Sequence, residues 1–263
     1  MNTNQPPALV GILGGVGPKA TLELCQHIIE YTPAVRDQDH IPLLIYNNSQ
    51  IPDRIDGILG NGQSPLSELI RTAKLLEREG CKFIVIPCNN AHYFLEEIRK
   101  NLHIPVLDMI SLTKLYLQKH LPLISKIGLL TTDASRTLRL HEKRFKSAKI
   151  EIMMSSDTMQ RNNVMEALFG TRGIKAGYHD SEYNKSLLLE ASSELITKGA
   201  DAILAGCTEI PLTLSQADFS IPFIDPAKIL ALEIVERAMN THVYTQDTFL
   251  AITNSARMKT LNA

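Results

Sequence analysis

Short apolar runs alternate with longer amphipathic stretches along the chain, the pattern of parallel α/β proteins. Strands are predicted at 8–14, 41–46, 83–87, 104–108, 127–130, 150–153, 202–205 and 221–224. Helices are predicted at 18–31, 64–79, 91–100, 110–119, 135–146, 159–169, 181–198 and 227–239. Apolar residues occupy both faces of the strands, so helices are expected to cover each sheet on both sides. Two polar connections, 47–63 and 170–180, exceed ordinary loop length and are candidate binding segments.

The pattern repeats. One copy runs from Gly80 through Ile84 to Cys88-Asn89, then Ile104-Pro105-Val106-Leu107-Asp108. The other runs from Gly199 through Ile203 to Cys207-Thr208, then Ile221-Pro222-Phe223-Ile224-Asp225. In both, the cysteine follows the glycine by eight positions and closes an apolar strand before a helix; the glycines lie 119 positions apart. Val10-Gly11-Ile12-Leu13 matches Ile127-Gly128-Leu129-Leu130 at an offset of 117. Two matches at nearly one offset predict two similar α/β lobes, 1–108 with 225–263 and 109–224. Open α/β sheets place ligands at the carboxyl ends of their strands, so each lobe is expected to offer one thiol to a shared cleft.

Composition narrows the partners. With 263 residues, 44% hydrophobic and 21% charged, the chain reads as an ordinary soluble protein. A net charge of −1 lacks the basic footprint that nucleic acid or an anionic membrane demands. No apolar run approaches the roughly 18 residues of a membrane span, and the N-terminus lacks a signal-peptide pattern; a cytoplasmic location is expected. Four cysteines, Cys25, Cys81, Cys88 and Cys207, show no zinc spacing, so no metal is expected and the thiols are read as free.

Cys25, in a helix, and Cys81, at a strand entrance, read as small core residues. Cys88 and Cys207 each open onto a helix start, where unpaired N–H groups are expected to lower a thiol pKa. Two opposed thiols supply a base on one face of a carbon and an acid on the other, which inversion of a stereocentre by proton transfer requires. A rival pairs Cys88 with His92 as nucleophile and base of an amidohydrolase; His92 also fits a structural hydrogen bond. The turn Gly14-Gly15-Val16-Gly17 before Pro18 follows a strand and opens a helix, a place for a small anion or a tight corner. It matches a dinucleotide fingerprint poorly. Arg54 and Lys175, in the two long polar segments, are candidate carboxylate binders or solvated cations.

At these residues the sequence resembles the PLP-independent aspartate/glutamate racemase family, especially its aspartate racemase branch. The matching segments are GILGGVGPKAT, NNSQIPDR, PCNNAH, GIKAG, AGCTEIPL and IPFIDP, in order from Gly11 to the Asp225 region. The resemblance implies two Rossmann-like lobes with parallel sheets, an active site in the cleft between them, and a homodimer. It implies that Cys88 and Cys207 remove and replace the Cα proton of an amino acid, without PLP or metal. Asn89 and Thr208 would hold the α-carboxylate, Arg54 and Lys175 the distal carboxylate of aspartate or glutamate, and Gly14 and Gly15 would shape the site. The chain departs from the family pattern at Asn90, where threonine is usual, at Ala134-Ser135, where a Gly-Thr pair is usual, and at His141, where tyrosine is expected. Asn90 and Ser135 therefore count as candidate binding residues that bear on substrate choice. Related enzymes with paired cysteines include broad-specificity amino-acid racemases, hydantoin racemase and maleate isomerase. A two-lobed amino-acid sensor is the non-enzyme alternative. The tail 241–263 lies outside the matching segments.

Overall fold

Two parallel sheets organise the chain, each built around a strand with glycine at its second or third position. The structure is a computed structural model that describes residues 6–240, so the tail 241–263 lies outside the described residues. Those residues form two compact units, one running to Leu112 and resuming at Ala227, the other spanning Thr113–Pro226.

In the first unit the strands are β1 (Val10–Gly14), β2 (Leu43–Asn47) and β3 (Phe83–Val85), ordered β2-β1-β3. The segment expected as a strand at 104–108 joins beyond β3 through a single bridge, Ile84 to Val106. Side chains alternate as the two-faced burial pattern requires. Val10, Ile12, Phe83 and Val85 face a core shared with the helices Pro18–Tyr31 and Pro226–Met239. Leu13, Ile84 and Ile86 face a second core with the helix Leu66–Arg78. Pro18–Tyr31 is a helix because Pro18 sits at its first position and Ala20, Leu24, Cys25 and Ile28 recur on one buried face. Full burial of Leu24 and Ile28 contributes about 1.5–3 kcal/mol each.

The second unit holds β4 (Lys126–Leu130), β5 (Glu151–Met154), β6 (Ala202–Ala205) and β7 (Phe223–Ile224), ordered β5-β4-β6-β7. With the bridge at Val106 counted, the strand order repeats that of the first unit. The repeat glycines have one physical cause in both copies. Gly80 and Gly199 take left-handed φ of 90° and 95° just after the helices Leu66–Arg78 and Glu182–Thr197. Gly80 and Cys81 donate to Glu77 and Leu76 carbonyls, and Gly199 and Ala200 to Ile196 and Leu195, which is the Schellman stop in duplicate. Gly11 and Gly128 let the same helices approach the sheet: a Cβ there would sit 3.2 Å from Leu76 Cβ and 2.8 Å from Leu195 Cβ.

Three expected helices are broken. Residues 91–100 split into a 3-10 turn, Asn90–Phe94, and a short helix, Leu95–Arg99. Residues 135–146 split into Asp133–Thr137 and Leu140–Phe145 about Arg139, at a left-handed φ of 51°. Residues 159–169 pass through a π-helical turn, Gln160–Met165, whose buried Gln160 amide donates to the Thr131 carbonyl and to Asp133, both at 2.9 Å. The connection expected at 47–63 contains a helix, Arg54–Leu59, started by Asp53, whose carboxylate accepts from the Ile55 and Asp56 amides. No helix among the described residues is long and apolar enough to cross a membrane.

Candidate active site

In the first unit the candidate residues collect past the carboxyl ends of β1, β2 and β3. Cys88 follows β3 and is buried, with its backbone N–H on the Ile86 carbonyl. Asn89, 3% exposed, carries a side-chain amide whose Nδ2 and Oδ1 are both buried without a hydrogen-bond partner. Buried amides nearly always have a hydrogen-bond partner in the protein or in ordered water, which sets this side chain apart. Asn90, also buried, starts the 3-10 turn that the Arg54–Leu59 helix packs against. Arg54 donates from Nη1 to the Ile51 and Pro52 carbonyls at 3.5 and 3.3 Å, while its buried Nε has no partner.

The glycine turn is a packing device at its first two positions. A Cβ on Gly14 would meet Thr21 Cγ2 at 2.4 Å, and one on Gly15 would fall 2.1 Å from the Asn48 backbone. Gly15 has φ 84°, and its N–H is taken by Thr21 Oγ1 at 3.2 Å, so that amide is not offered to an anion. The turn thereby seats the Asn48 end of the 47–54 segment, whose Asn48 amide donates to Thr72 Oγ1 at 3.0 Å.

His92 has the structural role. Its Nε2 accepts from the Met109 amide at 3.0 Å, which places the proton on Nδ1, and Nδ1 donates to the Cys88 carbonyl at 2.8 Å. Both ring nitrogens are committed to backbone in a fully buried ring, so His92 cannot take a proton from the Cys88 thiol as a hydrolase base must.

In the second unit Cys207 follows β6, beside the end of β4, where Thr131 Oγ1 donates to the Gly206 carbonyl at 3.0 Å. The Cys207 thiol donates to Glu209 Oε2 at 2.9 Å, Thr208 Oγ1 donates to the same oxygen at 3.4 Å, and Lys175 forms an ion pair with Glu209 Oε1. The expected lowering of both thiol pKa values is corrected at Cys207. Burial first, and the Glu209 charge second, push that thiol well up, against the pull of Lys175. The turn behind it, Ile210–Leu212, is a single 3-10 turn with little dipole to offer. Burial would raise Glu209 too, but the Lys175 charge and the hydrogen bonds from Cys207 and Lys175 outweigh it and hold the carboxyl low. Ser135 faces His141 Nδ1 at 3.2 Å, so two of the departures from the family pattern are bonded to each other. Cys25 and Cys81 are free, buried thiols within the first unit, raised chiefly by burial, as core residues should be.

Sequence reasoning gave Glu209 no role; the signal that could have found it was the charge two residues past the thiol in AGCTEIPL. Among the described residues no group of three or more His, Cys, Asp or Glu side chains is disposed to hold a metal ion.

Each of the two parallel α/β units carries a buried free cysteine just past an equivalent strand, and comparison with known proteins gives this arrangement its family. The family model for Asp/Glu/Hydantoin racemase matches residues 13–234. The chain belongs to that family and is therefore an enzyme, an isomerase of the racemase type. It is 28% identical over 232 residues to the broad specificity amino-acid racemase RacX of Bacillus subtilis, covering 86% of this chain and 96% of that one. Picrophilus torridus aspartate racemase matches at TM-score 0.73 and 29% identity, covering 88% and 94% of the two chains. A glutamate racemase from Francisella tularensis shares the fold at TM-score 0.65 and 17% identity over 93% of this chain and 85% of that one.

Proposed function

We propose that this isomerase racemises free amino acids by two-base proton transfer between Cys88 and Cys207, without PLP or metal. The observation that carries the reading is the duplication itself: each repeated unit places a buried free cysteine just past its equivalent strand, β3 or β6. One thiolate takes the Cα proton and the other thiol returns a proton to the opposite face. One S–H bond forms as the other breaks, and no oxidant or reductant is needed.

The Cα proton is a far weaker acid than a thiol, so the carbanion-like state needs preorganised donors at the carboxylate. Asn89, with its unpartnered buried amide, and Thr208 are suited to that task. Arg54, with Nε unpartnered, is suited to a distal carboxylate, which favours aspartate, with glutamate next. A second reading, broad specificity, is favoured by the similarity to the broad specificity racemase RacX and by the pairing of Lys175 with Glu209, which leaves Arg54 as the less committed of the two cations. The family resemblance supports a cytoplasmic homodimer, which sedimentation velocity tests.

The deciding experiment incubates protein dialysed against hydroxylamine and chelator, under reducing conditions, with a panel of L-amino acids and a hydantoin, and follows optical rotation. Aspartate should racemise fastest, and Cys88→Ser and Cys207→Ser should each abolish net racemisation while the fold survives. Near-normal turnover in either serine variant, or activity only on adding PLP or zinc, overturns the two-thiol mechanism. Faster racemisation of neutral amino acids would select the broad-specificity reading, and turnover of the hydantoin alone would remove amino acids as the substrate class.

A further inference from the structure

The two copies of the repeat differ two positions past the cysteine. After Cys88 the place belongs to Asn90, which carries no charge; after Cys207 it belongs to Glu209, 5% exposed. Glu209 lies between opposite partners, with the Cys207 thiol on Oε2 at 2.9 Å and the Lys175 ammonium on Oε1. Lys175 is steadied from another side by the Phe169 ring, whose centroid is 5.6 Å from Nζ. Cys207 belongs to an apolar core that also holds Val164, Ile210 and Leu214. Among the described residues, Glu209 and Lys175 are thus the charged groups that act on this thiol.

We propose that Glu209 is a positioning residue that keeps the proton on Cys207, so that Cys207 enters the reaction as the acid and Cys88 as the base, with Lys175 committed to Glu209 rather than to substrate. This rests on the two-cysteine reading above. A carboxylate that accepts the S–H hydrogen bond favours the thiol over the thiolate, because the thiolate would have no proton to donate and would face a second negative charge. Burial pushes the thiol in the same direction. In turnover the Cα–H bond breaks and its proton forms the Cys88 S–H, while the Cys207 S–H breaks and its proton forms the new Cα–H bond on the opposite face. The product state holds a Cys207 thiolate beside Glu209. The carboxylate disfavours that state, and the enzyme resets when Cys207 takes a proton from solvent and Cys88 loses its proton to solvent. Lys175 offsets enough of the Glu209 charge for it to stay ionised inside the protein.

The two charges have opposite expected effects, which separates this role from a merely structural one. The test titrates the ultraviolet absorbance of thiolate against pH, as the difference between each protein and its Cys207→Ser counterpart. In Glu209→Gln the lone Lys175 cation faces the thiol, and the Cys207 inflection should fall by about one pH unit or more, a tenfold rise in thiolate at fixed pH. In Lys175→Met the inflection should rise instead. Unmoved inflections, or two that move the same way, overturn the proposal. If Glu209→Gln does not fold, the Lys175→Met protein decides alone: a fall or no change refutes it. The titration needs no turnover, so its failure is distinct from failure of the racemase reading. Opposite shifts in a protein that racemises nothing would uphold the thiol chemistry and sink only the assigned reaction.

Discussion

Replacing Asn89 by leucine should stabilise the protein and disable it at once. Asn89 lies in helical backbone at φ −59° and ψ −45°, which leucine adopts freely, and leucine nearly matches the amide in shape. The native side chain keeps both polar atoms buried without a partner. An unsatisfied buried polar group costs about 1–3 kcal/mol, so an apolar replacement should recover about that much in the denaturant midpoint. If the amide donates to a substrate carboxylate, its loss forfeits a charge-assisted hydrogen bond of about 1.5–3 kcal/mol, or roughly 10- to 150-fold in kcat/KM. Unfolding in urea under reducing conditions and chiral chromatography of the product mixture measure the two effects on one preparation. The combination matters, because core asparagines that hold structure lose stability when replaced and functional ones lose activity while gaining it. A leucine variant that unfolds at lower urea would show that the amide serves the fold. One that is more stable and fully active would remove Asn89 from the substrate site.

Arg54→Ala should lower turnover of aspartate by roughly two orders of magnitude, from about 2–3 kcal/mol of lost charge-assisted bonding, while alanine turnover changes little. Equal losses on both substrates would make Arg54 a structural residue of its own helix. His92→Gln should destabilise the fold by about 1–3 kcal/mol for each backbone group left unpaired, the Met109 amide or the Cys88 carbonyl. The folded fraction should keep turnover within about tenfold of wild type, the cost of about 1.4 kcal/mol of misplacement at Cys88. A loss matching that of Cys88→Ser would instead put His92 in the chemistry.

Much of the architecture is a local property and was therefore legible in the chain. Helix Pro18–Tyr31 follows from Pro18 and the spacing of Ala20, Leu24 and Ile28, and the duplicated glycine stops follow from a conformation that glycine alone adopts without strain. The two cysteines could be found because strand, stop signal and thiol recur in one order at one offset. Asp53 also carried a local signal, a helix cap after proline, inside a segment otherwise read as a loop. What remained depended on partners far apart in sequence. The expected helix at 91–100 tightens into a 3-10 turn where His92 bridges the Cys88 carbonyl to the amide of Met109, 17 residues on. The helix expected at 159–169 takes a π turn where Gln160 reaches Thr131, 29 residues back. Periodicity carries no information about either contact. The same holds for charge: Glu209 meets Lys175 across 34 residues, and the thiol expected to be acidic is pushed up first by its burial and then by the Glu209 charge, against the pull of Lys175. Hydrophobic spacing prescribes which face of an element is buried, but a pKa depends on which charges and how much water surround one atom, and the tertiary fold decides both.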